Sequence, residues 1–151
     1  MIIDWEKEQE RMVYPQGTYK VVIDSWERAT AKTGTEQIRW KAKIIEPEEH
    51  KDRGIVEHNA LTEKAIWRLQ KMVSALGVDA KALGKCDTTS PQFEKVLNIC
   101  IGRTVHWLVA EENDLNGLPR NSIKDYVPDL SQEKIGIEQG AEDGAAVKWD
   151  E

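Results

Sequence analysis

The sequence predicts a mainly β chain with a helical insert, an α+β arrangement in the order strand, strand, strand, helix, helix, strand, strand. Three observations predict it. Residues 19–28 and 37–44 alternate apolar and polar side chains at a period of two, around the turn segment Ala31-Lys32-Thr33-Gly34-Thr35. Between residues 62 and 77 the apolar spacing changes to that of a helix, with Ala65, Leu69, Met72, Val73 and Leu76 on one stripe. Alternation then returns around Arg103–Glu111 and 121–127, joined by a loop ending in Asn116-Gly117, a strong hairpin signal.

Each element has a local reason. In the first strand Tyr19, Val21 and Ile23 share one face; strict alternation puts Val22, Asp24, Trp26 and Arg28 on the other. In the second strand Ile38, Trp40, Ala42 and Ile44 form an apolar face, against Gln37, Arg39, Lys41 and Lys43. Residues 46–54 form a polar loop, and Ile55 to Ala60 a short third strand. Thr62 is placed to cap the first helix, Glu63 suits its first turn, and Gly77 ends it. Ser90-Pro91 opens a second helix that turns Phe93, Val96, Leu97 and Cys100 inward. In the last strand alternation sets Lys124 and Tyr126 on one face and Ile123 and Val127 on the other. Five strands with one or two helices between the third and fourth is the order expected of an oligonucleotide-binding (OB) barrel.

The chain has 151 residues, room for one domain without disulfide support. No apolar run approaches the roughly 20 residues of a membrane helix, and the opening residues turn acidic at Asp4 and Glu6, unlike a secretory leader. Cys86 and Cys100 form no framework, so a reducing cytoplasm is the expected setting. The formal charge is −6, and residues 131–151 account for −4 of it. That stretch is small, acidic and without hydrophobic period, and is expected to be a disordered tail after a domain of residues 1–130.

Catalytic motifs are not found. His50, His58 and His106 lie far apart and no CxxC accompanies the cysteines, so neither a metal nor a cofactor is expected. Glu111, Glu112 and Asp114 are the one acidic group suited to a hard cation, and a solvated loop explains them better. The readable chemistry is cationic and aromatic. Arg28, Lys32, Arg39, Lys41, Lys43 and Lys124 are suited to phosphates, and Trp26, Trp67 and Tyr126 to stacked bases. Trp40 and Trp107 are assigned to the core.

Pro15-Gln16-Gly17-Thr18-Tyr19-Lys20-Val21-Val22-Ile23, Lys32-Thr33-Gly34-Thr35, Gly54 and Ala65-Ile66-Trp67-Arg68-Leu69 closing at Leu76-Gly77 together resemble a family of small phage-encoded proteins. The family is catalogued as a domain of unknown function found among recombination and replication genes. The resemblance covers roughly residues 15–127. It implies a single-stranded DNA-binding protein with an OB-type barrel, acting in the host cytoplasm. It also implies an acidic tail that recruits replication or recombination proteins, here through Trp149, Asp150 and Glu151. The expectation is a non-enzymatic binder of single-stranded DNA, free of membranes and compatible with homo-oligomers. Two rivals come from other classes: a protein-interaction or assembly module on the same scaffold, and a metal-dependent nuclease using Glu111, Glu112 and Asp114.

Overall fold

The computed structural model describes residues 13–137. Strands β1 (Gly17–Thr30), β2 (Glu36–Glu46) and β3 (Gly54–Ala60) are followed by helix α1 (Ile66–Ala75) and the short strand β4 (Val78–Asp79). Helix α2 (Pro91–Cys100), strands β5 (Thr104–Asn113) and β6 (Pro119–Pro128), and a two-residue β7 (Ile135–Gly136) complete the chain. The five long strands form one antiparallel sheet in the order β3, β2, β1, β5, β6, and β4 pairs with β7 in parallel. The sheet is open, because no backbone ladder joins its edge strands β3 and β6. No helix among the described residues is long and apolar enough to cross a membrane.

Most elements follow from their sequence. Gly34 takes φ +89° and closes the β1–β2 turn by donating to the Ala31 carbonyl, a conformation L residues resist. The Ser90 hydroxyl accepts from the Phe93 amide at 3.3 Å and Pro91 occupies the first turn, as the sequence predicts for α2. Helix α1 starts later than expected. Thr62 accepts the Ala65 amide within a preceding turn, and the helix proper opens at Ile66. Its stripe does face the core: Leu69, Met72, Val73 and Leu76 are buried. They pack with Tyr19, Val21, Ile23, Ile38, Trp40, Ile44, Val105 and Trp107 from the sheet, the burial that drives the fold.

Three register shifts interrupt the pairing: Ile45 is an extra residue near the end of β2, and two further bulges, in β1 and β6, each correct an expected face. Opposite β2, the pairing runs from Ile23–Ala42 directly to Ser25–Lys41, leaving Asp24 as an extra residue in β1. Beyond this bulge every side chain of β1 changes face. Trp26 therefore pairs with Trp40 and Arg28 with Ile38, on the core side. Opposite β5, Leu108 pairs with Asp125 and Val109 with Ile123, leaving Lys124 as the extra residue of β6. Tyr126 consequently turns inward and is 2% exposed, on the same side as Ile123, while Lys124 and Val127 are exposed.

The expected boundary at residue 131 also moves. The Asp129 carboxylate accepts the Ser131 and Thr104 hydroxyls, both at 2.6 Å, and pairs with Lys20 at 3.4 Å. The Gln132 side chain accepts the Thr104 amide at 3.0 Å and donates to the Leu76 carbonyl at 3.2 Å. Ile135 donates to the Gly77 carbonyl, and Ile137 is buried. Residues 131–137 thus belong to the fold, because their polar groups complete hydrogen bonds left open by α1 and β5. Of the expected tail, residues 138–151 lie outside the described residues.

Candidate nucleic-acid interface

Strand β2 keeps its alternation unbroken from Glu36 to Ile44, so Arg39, Lys41 and Lys43 all stand on the outer face of the sheet. Pairing on both sides fixes their neighbours. Lys43 lies between Val22 and Gly54, Lys41 between Ser25 and Val56, and Arg39 between Glu27 and His58. Gly54 has no side chain to shade Lys43, which makes no ion pair among the described residues. Glu27 is the acid of the group, 2.9 Å from Arg39 and 3.6 Å from Lys41. These pairs are exposed and screened, so they cost little to exchange for another anion. Val56 is exposed, and burial, followed by the charge of Arg39, holds the His58 imidazole below its usual pKa. The His58 ring stands opposite Arg39 on this face. Lys32 is exposed in the β1–β2 turn.

The other expected contacts go elsewhere. Trp26 is half-buried under α2, its indole N–H donating to Asn98 Oδ1 at 2.9 Å. Arg28 is held by the same helix, 3.5 Å from Glu94 and 5.6 Å from the Phe93 ring centre, and it donates to the Thr88 carbonyl. Neither shares the outer face with Arg39, Lys41 and Lys43, because the Asp24 bulge has turned them away. Lys124 is ion-paired with Glu112, which also meets Arg120 at 3.5 Å. Asp114 accepts the amides of Asn116 and Leu118 at 2.9 Å, so Asp114 is engaged by its own loop as Glu112 is by β6. Among the described residues no group of three or more His, Cys, Asp or Glu converges to hold a metal. Cys100 is buried in the core, which pushes its thiol pKa up to about 12.

Trp67 stands on the solvent side of α1, 54% exposed, with the Arg68 guanidinium 5.8 Å from its ring centre. Residues 1–12 lie outside the described residues, as do Trp149, Asp150 and Glu151.

Tyr126 cannot be a stacking platform, since it forms the middle of a buried polar chain bridging the open edge of the sheet. Trp40 donates to Asn59 Oδ1 at 2.8 Å, and Asn59 donates to the Tyr126 hydroxyl at 2.8 Å. That hydroxyl donates in turn to Glu57 Oε2 at 2.5 Å. Arg68 reaches in from α1 to Glu57 at 3.1 Å, the Tyr126 hydroxyl at 3.0 Å and the Ile123 carbonyl at 2.9 Å. Burial raises the Glu57 pKa above the usual carboxylate range, outweighing the lowering by Tyr126 and Arg68. Nearby, Tyr14 ties the same two strands, donating from its hydroxyl to the Gly54 carbonyl at 2.7 Å and from its amide to Asn121 at 2.8 Å.

Val56 and His58 are the outer-face residues that sequence reasoning missed. In β3 the inward positions are Ile55, Glu57 and Asn59, so the buried face reads as the more polar one. The signal was present only in the register with β2, where His58 and Val56 oppose Arg39 and Lys41.

Against known families, the chain matches, over residues 3–137, the one described as a protein of unknown function (DUF669). No curated protein matches it.

Proposed function

Starting from a chain that belongs to the DUF669 family, we propose a non-catalytic protein that binds single-stranded DNA on the outer face of β2 and β3. The observation that carries this reading is the unbroken cation ladder Arg39, Lys41, Lys43, flanked by the ring of His58 and the exposed Val56. Phosphates exchange with the Glu27 carboxylate at Arg39 and Lys41 and meet Lys43 directly. Bases then rest on His58 and Val56, and Lys32 extends the track at the turn. A single strand suits this surface because its bases are free to turn towards the protein while its backbone follows the cations.

An OB-type barrel is the finer fold that goes with this function. Its support is the strand order β3, β2, β1, β5, β6 and the bridging of the open edge by Asn59, Tyr126, Glu57, Arg68 and Tyr14. The resemblance to phage-encoded single-stranded DNA-binding proteins adds a setting in DNA replication or recombination, with enzymes of those processes as partners of residues 138–151.

The test is fluorescence anisotropy of a labelled oligo(dT) with unlabelled single-stranded and duplex competitors of equal length. Single strands should compete better than duplex, and affinity should fall steeply as salt rises, because bound phosphates release counterions. Equal or better competition by duplex, or an affinity indifferent to salt, would overturn the reading in favour of a protein-interaction module.

A further inference from the structure

A groove of about 870 Å³ lies between α1, α2 and the segment joining β4 to α2. None of the outer-face residues of β2 and β3 lines it. Its floor is apolar, including Leu69, Val73, Val78, Leu83, Phe93 and Val96. Beside neutral Gln70, Ser74 and Thr88, its charged lining is mostly cationic. Lys81, Lys85 and Lys134 all belong to it and make no ion pair among the described residues. Among the described residues Asp79 is the one acid in the lining, and its carboxylate accepts the Lys81 amide. The groove therefore asks for an occupant that is apolar at its centre and anionic around it.

The chain carries such a segment next to the groove. Strand β7 pairs with β4, so the chain passes Lys134 and Val78, both in the groove wall, just before residue 138. Residues 138–151 then hold Glu138, Glu142, Asp143, Asp150 and Glu151 against the single cation Lys148, with Val147 and Trp149 as their large apolar side chains. Val147 stands ten positions after Ile137, and an extended chain spans roughly 35 Å over that length, ample to lie along a groove that begins at the departure point. We infer that this groove is the docking site of the chain's own residues 138–151. Val147 and Trp149 fill the apolar floor while the acids pair with Lys81, Lys85 and Lys134. Tethering makes the contact intramolecular, so a weak site suffices.

Cys86 lines the groove and is exposed, whereas Cys100 is buried, which gives a direct test on the full chain. A docked segment shields the Cys86 thiol from a soluble disulfide reagent such as DTNB. Trp149→Ala should speed that reaction several-fold at low salt, and high salt should narrow the gap by screening the lysines. Equal rates in the two proteins would overturn the proposal. In a second arm, Val147→Cys is oxidised with glutathione disulfide, two protein thiols forming one disulfide as two molecules of glutathione are released. The expected product is an intrachain disulfide between Cys86 and the thiol introduced by Val147→Cys, formed several-fold more slowly when Trp149→Ala is added. A rate insensitive to Trp149 would show mere tethering. A predominantly interchain product would assign the groove to a second copy. Either result rejects the inference.

Discussion

Strand β2 and strands β1 and β6 make an instructive pair. Between Glu36 and Ile44, β2 has no extra residue, and its cations all reach the outer face. Strands β1 and β6 each carry one extra residue, Asp24 and Lys124, and each bulge turns an aromatic side chain inward. Trp26 goes under α2 to Asn98, and Tyr126 goes into the network of Glu57, Asn59 and Arg68. One inserted residue thus decides whether an aromatic ring serves a surface or a core. The outer face is left with cations, the His58 imidazole and a valine, and the indoles of Trp26 and Trp40 serve stability.

The largest expected effect separates these roles within one paired row. Trp40 is fully buried and its indole N–H is bound to Asn59, so Trp40→Ala should cost roughly 3–5 kcal/mol in denaturant unfolding. Trp26→Ala removes a half-buried ring and one hydrogen bond, for roughly 1–2 kcal/mol. Its oligo(dT) affinity should stay at the wild-type value, and a weakened affinity in the folded mutant would return Trp26 to the binding face. Next comes Tyr126→Phe, which strips the hydroxyl shared by Asn59, Glu57 and Arg68 and leaves buried polar groups short of a partner. A loss of roughly 1–3 kcal/mol is expected, whereas an unchanged unfolding midpoint would mean the edge strands hold without that bridge.

The smallest effect is a pH dependence in the same bridge. Because the folded pKa of Glu57 is raised, the folded chain binds its proton more tightly than the unfolded one. That contribution is fully present below about pH 4.5 and is lost as pH rises through the folded value. Asp129 acts in the opposite sense. The hydroxyls of Ser131 and Thr104 hold its pKa low, so its contribution fades only as pH falls below the usual carboxylate value. Thermal melts from pH 4.5 to 7 should therefore slope downward relative to Glu57→Gln, and parallel curves would refute the assignment.

What could be read from the sequence follows from the same contrast. The β2 ladder, the Gly34 turn, the Ser90-Pro91 helix start and the buried stripe of α1 were legible, because each depends on neighbours in sequence. The faces of Trp26 and Tyr126 were not. A bulge is recorded only in the register with the partner strand, and Asp24 and Lys124 look like ordinary outward residues. Strand β3 hid its outer-face residues for another reason, since the inward Glu57 and Asn59 are satisfied by side chains distant in sequence. Residues 131–137 read as tail because Gln132 and Ser131 act through hydrogen bonds rather than apolar spacing.

The proposed function requires that the unbroken stretch of β2 from Glu36 to Ile44, and not the bulged β1 and β6, carries the DNA-binding charge. Its most direct measurement is the salt dependence of oligo(dT) affinity for the wild type and for the double substitution Lys41→Ala, Lys43→Ala. Each phosphate contact on a single strand contributes about 0.7 to the slope of log affinity against log salt. Losing two contacts should lower the slope by about 1.4 and weaken binding most at low salt, with the unfolding midpoint unchanged. An unaltered slope in the double mutant, with Arg28→Ala lowering it instead, would contradict the account and move the site to the surface around α2.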